Sequence, residues 1–323
     1  MLAMHRKMNI FYASKSVEKN ETLPKLNRAH RKPWGAGIRF RQQIGKTHKG
    51  DMPVREQDTA IIEPKKGKRE PRLPSACLLV FTPYDLDLVI GHFPEVPKLS
   101  HRLYLARVYT GRCRHGEIAV AGPTLGAPQT ILILEKLIAL GVKNILAFGW
   151  CGSLQNHVAI GDVVMPTGAL SEEGTSRHYP VSVAQPGPAP KLQQSLKEAL
   201  RNTTLSVHEG VVWTTDAPFR EMVSKVVKFQ SEGVLAVEME VSALFTVAHF
   251  RRIRLAVILA VSDELHSLKW VHGFKETGFT RARQILSELL VETACNFETT
   301  HTERTKRRGA EMSKRRVHVW ISG

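Results

Sequence analysis

From Leu73 onward the sequence alternates short apolar runs with segments long enough for helices. The runs have strand length, and they are CLLVF, EIAVAG, KNILAFG, GDVVMP, LSVHEGVVW and RLAVILAVSD. Several are continuous in Val, Ile and Leu, which is typical of strands that helices cover on both faces. This alternation predicts one α/β domain with a mixed, largely parallel central sheet.

The intervening segments predict helices at about 129–140, 191–201, 218–229, 240–250 and 273–297. The first of them, QTILILEKLIAL, is apolar on almost every face, so it should be buried. Gly141 follows it directly and is expected to cap its carboxyl end.

Charge divides the chain into three parts, which we take as an extension (1–73), a catalytic domain (74–297) and a tail (298–323). Residues 1–70 carry 17 Lys and Arg against 7 Asp and Glu, and residues 298–323 carry 7 against 3. The part between, 71–297, is nearly balanced, with 22 against 20. The extension lacks hydrophobic periodicity, which predicts disorder. The alternatives are a nucleic-acid-binding arm or a misassigned start, since Met52 is a second candidate initiator.

The four cysteines are far apart and show no metal-ligand spacing, so we expect neither a disulfide framework nor a zinc site. They are Cys77, Cys113, Cys151 and Cys295. No apolar run approaches the roughly 18 to 20 residues that cross a bilayer. These features favour a cytoplasmic protein without a membrane anchor.

Two candidate site segments follow apolar runs. In KNILAFGWCGSL the glycines of Gly149–Ser153 allow an anion-binding turn, although glycines also simply turn a chain. In RLAVILAVSDEL, Asp263 should end a strand, where partial burial suits a general acid. The alternative is that Ser262 and Asp263 form a helix cap or turn.

Two further segments carry polar side chains. GVLAVEMEVSALF places Glu238 and Glu240 around Met239, where a carboxylate can accept hydrogen bonds from sugar hydroxyls. The alternative is that Glu240 is a first-turn helix residue and that Glu238 forms a surface ion pair, for example with Arg254. The loop GALSEEGTSRHYP offers Thr175, Arg177 and His178 to a ligand, or is an ordinary surface loop.

In this order, the four segments resemble the nucleoside phosphorylase family over roughly residues 74 to 297. YTGRCRHGEIAVAGPTLGAPQT and VVWTTDAPFRE look like further segments of that family. The resemblance implies a three-layer α/β sandwich, homo-oligomeric assembly, and cleavage of a purine nucleoside by inorganic phosphate without a metal or organic cofactor.

By the same resemblance, Asp263 protonates the base, and Glu238, Met239 and Glu240 hold the ribose. The phosphate would lie on four consecutive residues, Gly149, Trp150, Cys151 and Gly152. The base would contact Thr175, Arg177, His178 and Ser262.

Two departures weaken phosphate binding. Relatives place an arginine where this chain has Ala147, and another in the first loop, here FTPYD. Their loss costs about a hundredfold or more in phosphate affinity. Arg102, Arg107 or Arg177 would have to compensate. Otherwise water is the nucleophile, with Asp85 or Asp87 as base. A third hypothesis is a non-catalytic nucleoside- or nucleic-acid-binding protein.

Overall fold

The structure, a computed structural model, describes residues 60–114 and 116–296. The predicted tail, and the predicted extension up to residue 59, lie outside the described residues. Within them the ordered α/β body begins at Ala76. No helix among the described residues is long and apolar enough to cross a membrane.

Ten strands of the described residues form one mixed sheet. They are β1 (Ala76–Val80), β2 (Lys98–Leu103), β3 (Ala106–Cys113), β4 (Gly116–Gly122), β5 (Asn144–Ser153), β6 (Val163–Glu172), β7 (Val207–Thr215), β8 (Ala236–Glu238), β9 (Arg254–Glu264) and β10 (Val271–His272). Their order is β10-β9-β6-β7-β8-β5-β1-β4-β3-β2, and β9 also pairs with β5. The second pairing closes β9, β6, β7, β8 and β5 into a ring, which brings the ends of β5, β8 and β9 together.

Helices cover both faces of the sheet, as the sequence predicted. They are α1 (Pro83–Gly91), α2 (Gly126–Leu140), α3 (Pro190–Leu200), α4 (Val223–Ser231), α5 (Val241–Arg251) and α6, which spans 277–296 in the described part. Helices α2 and α5 pack against one set of alternating strand residues, and α1, α3 and α6 pack against the other. Alternating side chains of a strand point to opposite faces. The three-layer sandwich is therefore confirmed.

Helix boundaries follow local chemistry. Helix α2 ends at Gly141, whose φ of 118° is a left-handed conformation that glycine adopts without strain. Helix α1 was not predicted, although Thr82 caps its amino end and Pro83 begins it. The segment predicted as helix 218–229 is a short 3-10 turn followed by α4.

One disulfide contradicts the expectation from the sequence. Cys113, at the end of β3, is bonded to Cys295 in α6, 182 residues further along the chain. Sequence spacing carries no information on such a distant pair, since only the fold brings the two residues together. Cys77 and Cys151 are free and buried.

Candidate active site

A cavity of about 550 Å³ lies where the carboxyl end of β5 meets β8 and β9. Its lining combines acidic, aromatic and aliphatic side chains from several segments. They are Trp150, Cys151, Gly152, Pro218, Phe219, Glu221, Val223, Val226, Val237, Glu238, Met239, Ser262, Asp263, Leu265, Leu268, Lys269, Trp270 and Phe274. Several of the residues predicted for the site therefore share one cavity.

Asp263 stands near the end of β9, and its carboxyl accepts hydrogen bonds from Ser262 Oγ (2.6 Å) and Trp270 Nε1 (3.0 Å). Burial raises the pKa of Asp263, so part of its population carries a proton at higher pH than an exposed aspartate does. The space for this carboxyl comes from Gly152 on β5. A Cβ at that position would lie 2.8 Å from Asp263 Oδ2, closer than van der Waals contact allows.

Glu238 ends β8 and is only 5% exposed. Its carboxyl accepts from Thr214 Oγ1 and from the backbone N–H groups of Glu240 (2.6 Å) and Val241 (2.8 Å), so it caps the start of α5. Burial outweighs these hydrogen bonds and raises its pKa to about 7. Glu238 thus supports α5 and lines the cavity at once.

Glu240 does not line the cavity, whereas its neighbour Met239 does. The Glu240 carboxyl is buried and accepts a hydrogen bond from the Gly126 N–H (2.5 Å) at the start of α2. Burial and the nearby Glu238 carboxyl raise the pKa of Glu240 to about 8. The carboxyls of Glu238 and Glu240 are both buried and accept hydrogen bonds from backbone N–H groups at the starts of helices. Among the described residues they therefore do not form the surface ion pair that was considered as an alternative.

Sequence reasoning missed Glu221, which also lines the cavity. It follows the turn after β7, in the segment VVWTTDAPFRE that resembles the family, and this position was the available signal. Burial and the charge of Asp263 raise the pKa of Glu221 to about 7. A buried acid whose pKa is raised by burial and by a second acid in the same cleft is typical of a functional site.

The predicted anion-binding turn is a strand. Residues Gly149–Ser153 continue β5 and pair with β9, with a register shift between Cys151 and Gly152. Successive N–H groups of a strand point to opposite sides, so those of this segment do not converge on one anion. Gly149 is required for packing, since a Cβ there would lie 2.0 Å from a ring carbon of Phe81.

Trp150 connects the cavity to a buried ion pair behind it. Its Nε1 donates to Asp85 Oδ2 (2.5 Å), and Arg283 Nε of α6 donates to Asp85 Oδ1 (2.6 Å). Thr82 Oγ1 donates to the same carboxyl (2.8 Å), and Asp85 has no exposed surface. Burial raises the pKa of Asp85, and the charge of Arg283 opposes that shift. The Arg283 guanidinium also lies 5.0 Å from the centre of the Trp150 ring.

The base-side loop lies elsewhere. Thr175, Arg177 and His178 belong to the 3-10 turn after β6 and do not line the cavity, whereas Ser262 does. Buried Glu173 holds the turn by accepting from the backbone N–H of Thr175 (2.5 Å). The same carboxyl accepts from the hydroxyl of Ser242 on α5 (3.0 Å).

The residues considered as substitutes in phosphate or water binding are also outside the cavity lining. Arg102 and Arg107 face each other across the β2–β3 hairpin at the far edge of the sheet. Asp87 is exposed on α1, and Asp85 is occupied by its ion pair. Lys269 is the single cationic side chain among the residues that line the cavity.

Comparison with known proteins decides the family. Residues 75–294 match the phosphorylase superfamily. The chain belongs to this superfamily. Over an alignment of 150 residues it is 31% identical to a guanosine phosphorylase of Halorubrum lacusprofundi. That alignment covers 46% of the chain and 62% of the relative. Over an alignment of 159 residues it is 32% identical to a DeoD-type purine nucleoside phosphorylase of Bacillus cereus. That alignment covers 49% of the chain and 68% of the relative. The chain thus spans less than two thirds of the first of these phosphorylases.

Solved structures of this superfamily share the fold. A purine nucleoside phosphorylase from Toxoplasma gondii has a TM-score of 0.64 at 20% identity, over 71% of the chain and 93% of that structure. A uridine phosphorylase from Vibrio fischeri has a TM-score of 0.62 at 22% identity, over 72% and 98%. At this identity the likeness establishes the α/β sandwich.

Proposed function

We propose that the chain cleaves the N-glycosidic bond of a purine nucleoside in the cavity at the end of β9. The observation that supports this most is the Asp263 carboxyl, held at the strand end beside Met239 and Glu238. Membership in the phosphorylase superfamily, and similarity to a relative named as a purine nucleoside phosphorylase, support this proposal. The expected consequence for the cell is purine salvage.

Asp263 acts as the general acid in this proposal. As the bond from C1′ to the base breaks, the base gains negative charge and the ribose becomes cationic. A proton from Asp263 neutralises the base, and a positioned acid of this kind contributes about 10² to 10⁴ in rate. The carboxyl of Glu238 favours the ribose cation and accepts from its hydroxyls, and Glu240, which does not line the cavity, joins it when a bound nucleoside displaces the Gly126 N–H.

Phosphate was the nucleophile expected first, and the geometry around Trp150 favours water instead. The Trp150 indole lines the cavity together with Gly152, and Asp85 is already bound to Arg283. An anion entering this cavity would meet three acidic side chains and one lysine. Phosphorolysis stays the competing reaction, since the two relatives in the comparison are named as phosphorylases.

The test is release of free base from inosine, guanosine and adenosine, followed by chromatography with and without inorganic phosphate. We expect release without phosphate, and a loss of about a hundredfold or more in the Asp263→Asn and Glu240→Gln variants. The matched control is Glu288→Gln, at an exposed position of α6. Strict dependence on phosphate would establish phosphorolysis, and no release from any nucleoside would reject the proposal.

Thr175, Arg177 and His178 remain proposed base contacts only if this loop moves towards the cavity when a nucleoside binds. Alanine at each position tests this through the KM for the nucleoside. Unchanged KM values would assign the loop a structural role around Glu173.

Assembly and location are part of the same proposal. We expect a homo-oligomer, to be measured by sedimentation, since exposed apolar side chains such as Phe219 and Leu268 surround the cavity. We also expect a cytoplasmic protein, although disulfides are rare in that compartment. Blocking free thiols in intact cells before extraction would show whether the Cys113 disulfide exists there.

A further inference from the structure

The strand that carries Asp263 is followed by a hairpin that returns over its end. Strand β10 pairs antiparallel with β9, so that His272 lies opposite Asp263. Just after β10, the backbone N–H of Gly273 donates to the carbonyl of Ser262 (2.8 Å). Trp270 comes directly before β10. The backbone of this hairpin therefore keeps Trp270 close to the end of β9.

Each oxygen of the Asp263 carboxyl accepts a hydrogen bond from a different side chain. Ser262 Oγ donates to Oδ1 (2.6 Å), and Trp270 Nε1 donates to Oδ2 (3.0 Å). Two donors on two oxygens fix the rotation of the carboxyl about its Cβ–Cγ bond. An indole N–H is a donor only, so Trp270 does not act as an acid itself. Any effect of Trp270 on proton transfer passes through Asp263.

The two donors act on Asp263 against the effect of burial. Burial raises the pKa of this carboxyl, whereas the hydrogen bonds from Ser262 and Trp270 lower it, because a donor stabilises the ionised form more than the protonated form. The titratable groups on the elements around this carboxyl are His272, Glu264, Glu221, Glu238, Cys151 and Lys269. The charge of His272 favours the carboxylate, and that of Glu264 opposes it.

We propose that Trp270 is a positioning residue for the general acid, which orients the Asp263 carboxyl and stabilises the carboxylate that remains after proton transfer. This inference rests on the proposed function, in which Asp263 is that acid. In the transfer, the O–H bond of Asp263 breaks and an N–H bond forms at a ring nitrogen of the base, which keeps the electron pair of the glycosidic bond. The hydrogen bond from Trp270 strengthens as the carboxyl becomes negative. An interaction that is stronger in the transition state raises kcat.

A purely structural role of the indole is the alternative, and two variants separate it from the proposed one. Trp270→Phe keeps an aromatic ring near Phe274, whose ring centre lies 6.2 Å away, and removes the N–H. Because Trp270 is 55% exposed, this change should leave the chain folded. Val271→Ala is the matched control. It shortens an exposed side chain of the same hairpin, outside the cavity lining, and leaves the indole in place.

The first measurement is a titration of Asp263 in the full chain without nucleoside. Nuclear magnetic resonance of isotope-labelled aspartate carboxyl groups gives the titration curves, and Asp263→Asn identifies the signal. The pKa of Asp263 should be higher in Trp270→Phe, and in Trp270→Leu as a second replacement, than in the parent chain. Val271→Ala should titrate like the parent. An unchanged or lower pKa in the two Trp270 variants would overturn the inference.

The second measurement is the pH profile of guanosine cleavage. Trp270→Phe should lower kcat by about threefold to tenfold, since water replaces part of a half-exposed donor. The loss should become smaller as pH rises, because Asp263 keeps its proton to higher pH in this variant. KM should stay close to that of the parent. A change confined to KM would assign Trp270 to nucleoside binding and reject its positioning role.

The two measurements let this inference and the proposed function fail separately. If the parent chain cleaves guanosine and Trp270→Phe has the parent's pKa for Asp263, this inference alone is wrong. A raised pKa without a loss of kcat would reject the catalytic consequence of the hydrogen bond. No cleavage of any nucleoside by the parent would reject the proposed function, and the role of Trp270 with it.

Discussion

Replacement of Glu240 by Gln tests whether the two buried acids before α5 hold protons in the chain without ligand. Glu240 is 5% exposed, and burial with the nearby Glu238 carboxyl raises its pKa from 4.5 to about 8. Between these two values the folded chain holds a proton at this site that the unfolded chain has lost. Stability must then fall as pH rises through the window, because folding favours the protonated form.

The size of the effect follows from the shift. One proton over one pH unit is worth about 1.4 kcal/mol, so the loss between about pH 5 and about pH 8 is roughly 2 to 4 kcal/mol for this side chain. Glu238 and Glu221, each with a pKa raised to about 7, add losses of the same sign. Glu70, whose pKa is lowered to about 2 by Lys136, stabilises the fold above about pH 4.5 and adds no slope in this window.

Urea denaturation across this pH range measures the difference. Glu240→Gln should match the parent chain at about pH 5 and exceed its stability by roughly 2 to 4 kcal/mol at about pH 8, or roughly 5 to 10 °C in Tm. Glu288→Gln, on the exposed face of α6, should follow the parent throughout. Parallel curves for the parent and Glu240→Gln would refute the claim that this buried carboxyl is protonated.

Three further outcomes test the packing around the site. Arg283→Met leaves the buried Asp85 without its cation and should cost about 3 to 5 kcal/mol in urea denaturation, whereas adding Asp85→Asn should restore most of the loss. Reduction of the Cys113 disulfide, which closes a separation of 182 residues, should cost about 3 to 5 kcal/mol, and Cys113→Ser should make Tm insensitive to thiols. Gly152→Ala should displace the Asp263 carboxyl and lower kcat for guanosine by about a hundredfold, with an unchanged circular dichroism spectrum.

Regular periodicity made much of the fold predictable. The apolar runs identified β1, β5 and β9, and the all-round apolar pattern of QTILILEKLIAL placed α2 in the core up to Gly141. Asp263 was correctly expected near a strand end for the same reason. These features are local, so neighbouring residues suffice to define them.

Long-range packing explains what the sequence did not predict. The glycines of β5 were interpreted as a turn, but Gly149 accommodates the Phe81 ring and Gly152 accommodates a carboxyl from β9. Both contacts come from residues distant in sequence. The pairs Asp85–Arg283 and Cys113–Cys295 likewise exist only once α6 packs against the sheet.

The altered anion site and the acidic cavity have one physical explanation. By the family resemblance, phosphate-binding arginines were expected at Ala147 and in the first loop, and the guanidinium of Arg283 is used inside the protein by Asp85. Nothing in the described lining except Lys269 then offsets the three carboxyls of the cavity. When they are ionised, these carboxyls stabilise the ribose cation that forms as a glycosidic bond breaks. The same ionised carboxyls oppose a dianionic nucleophile, which is why release of the base without phosphate is the expected result.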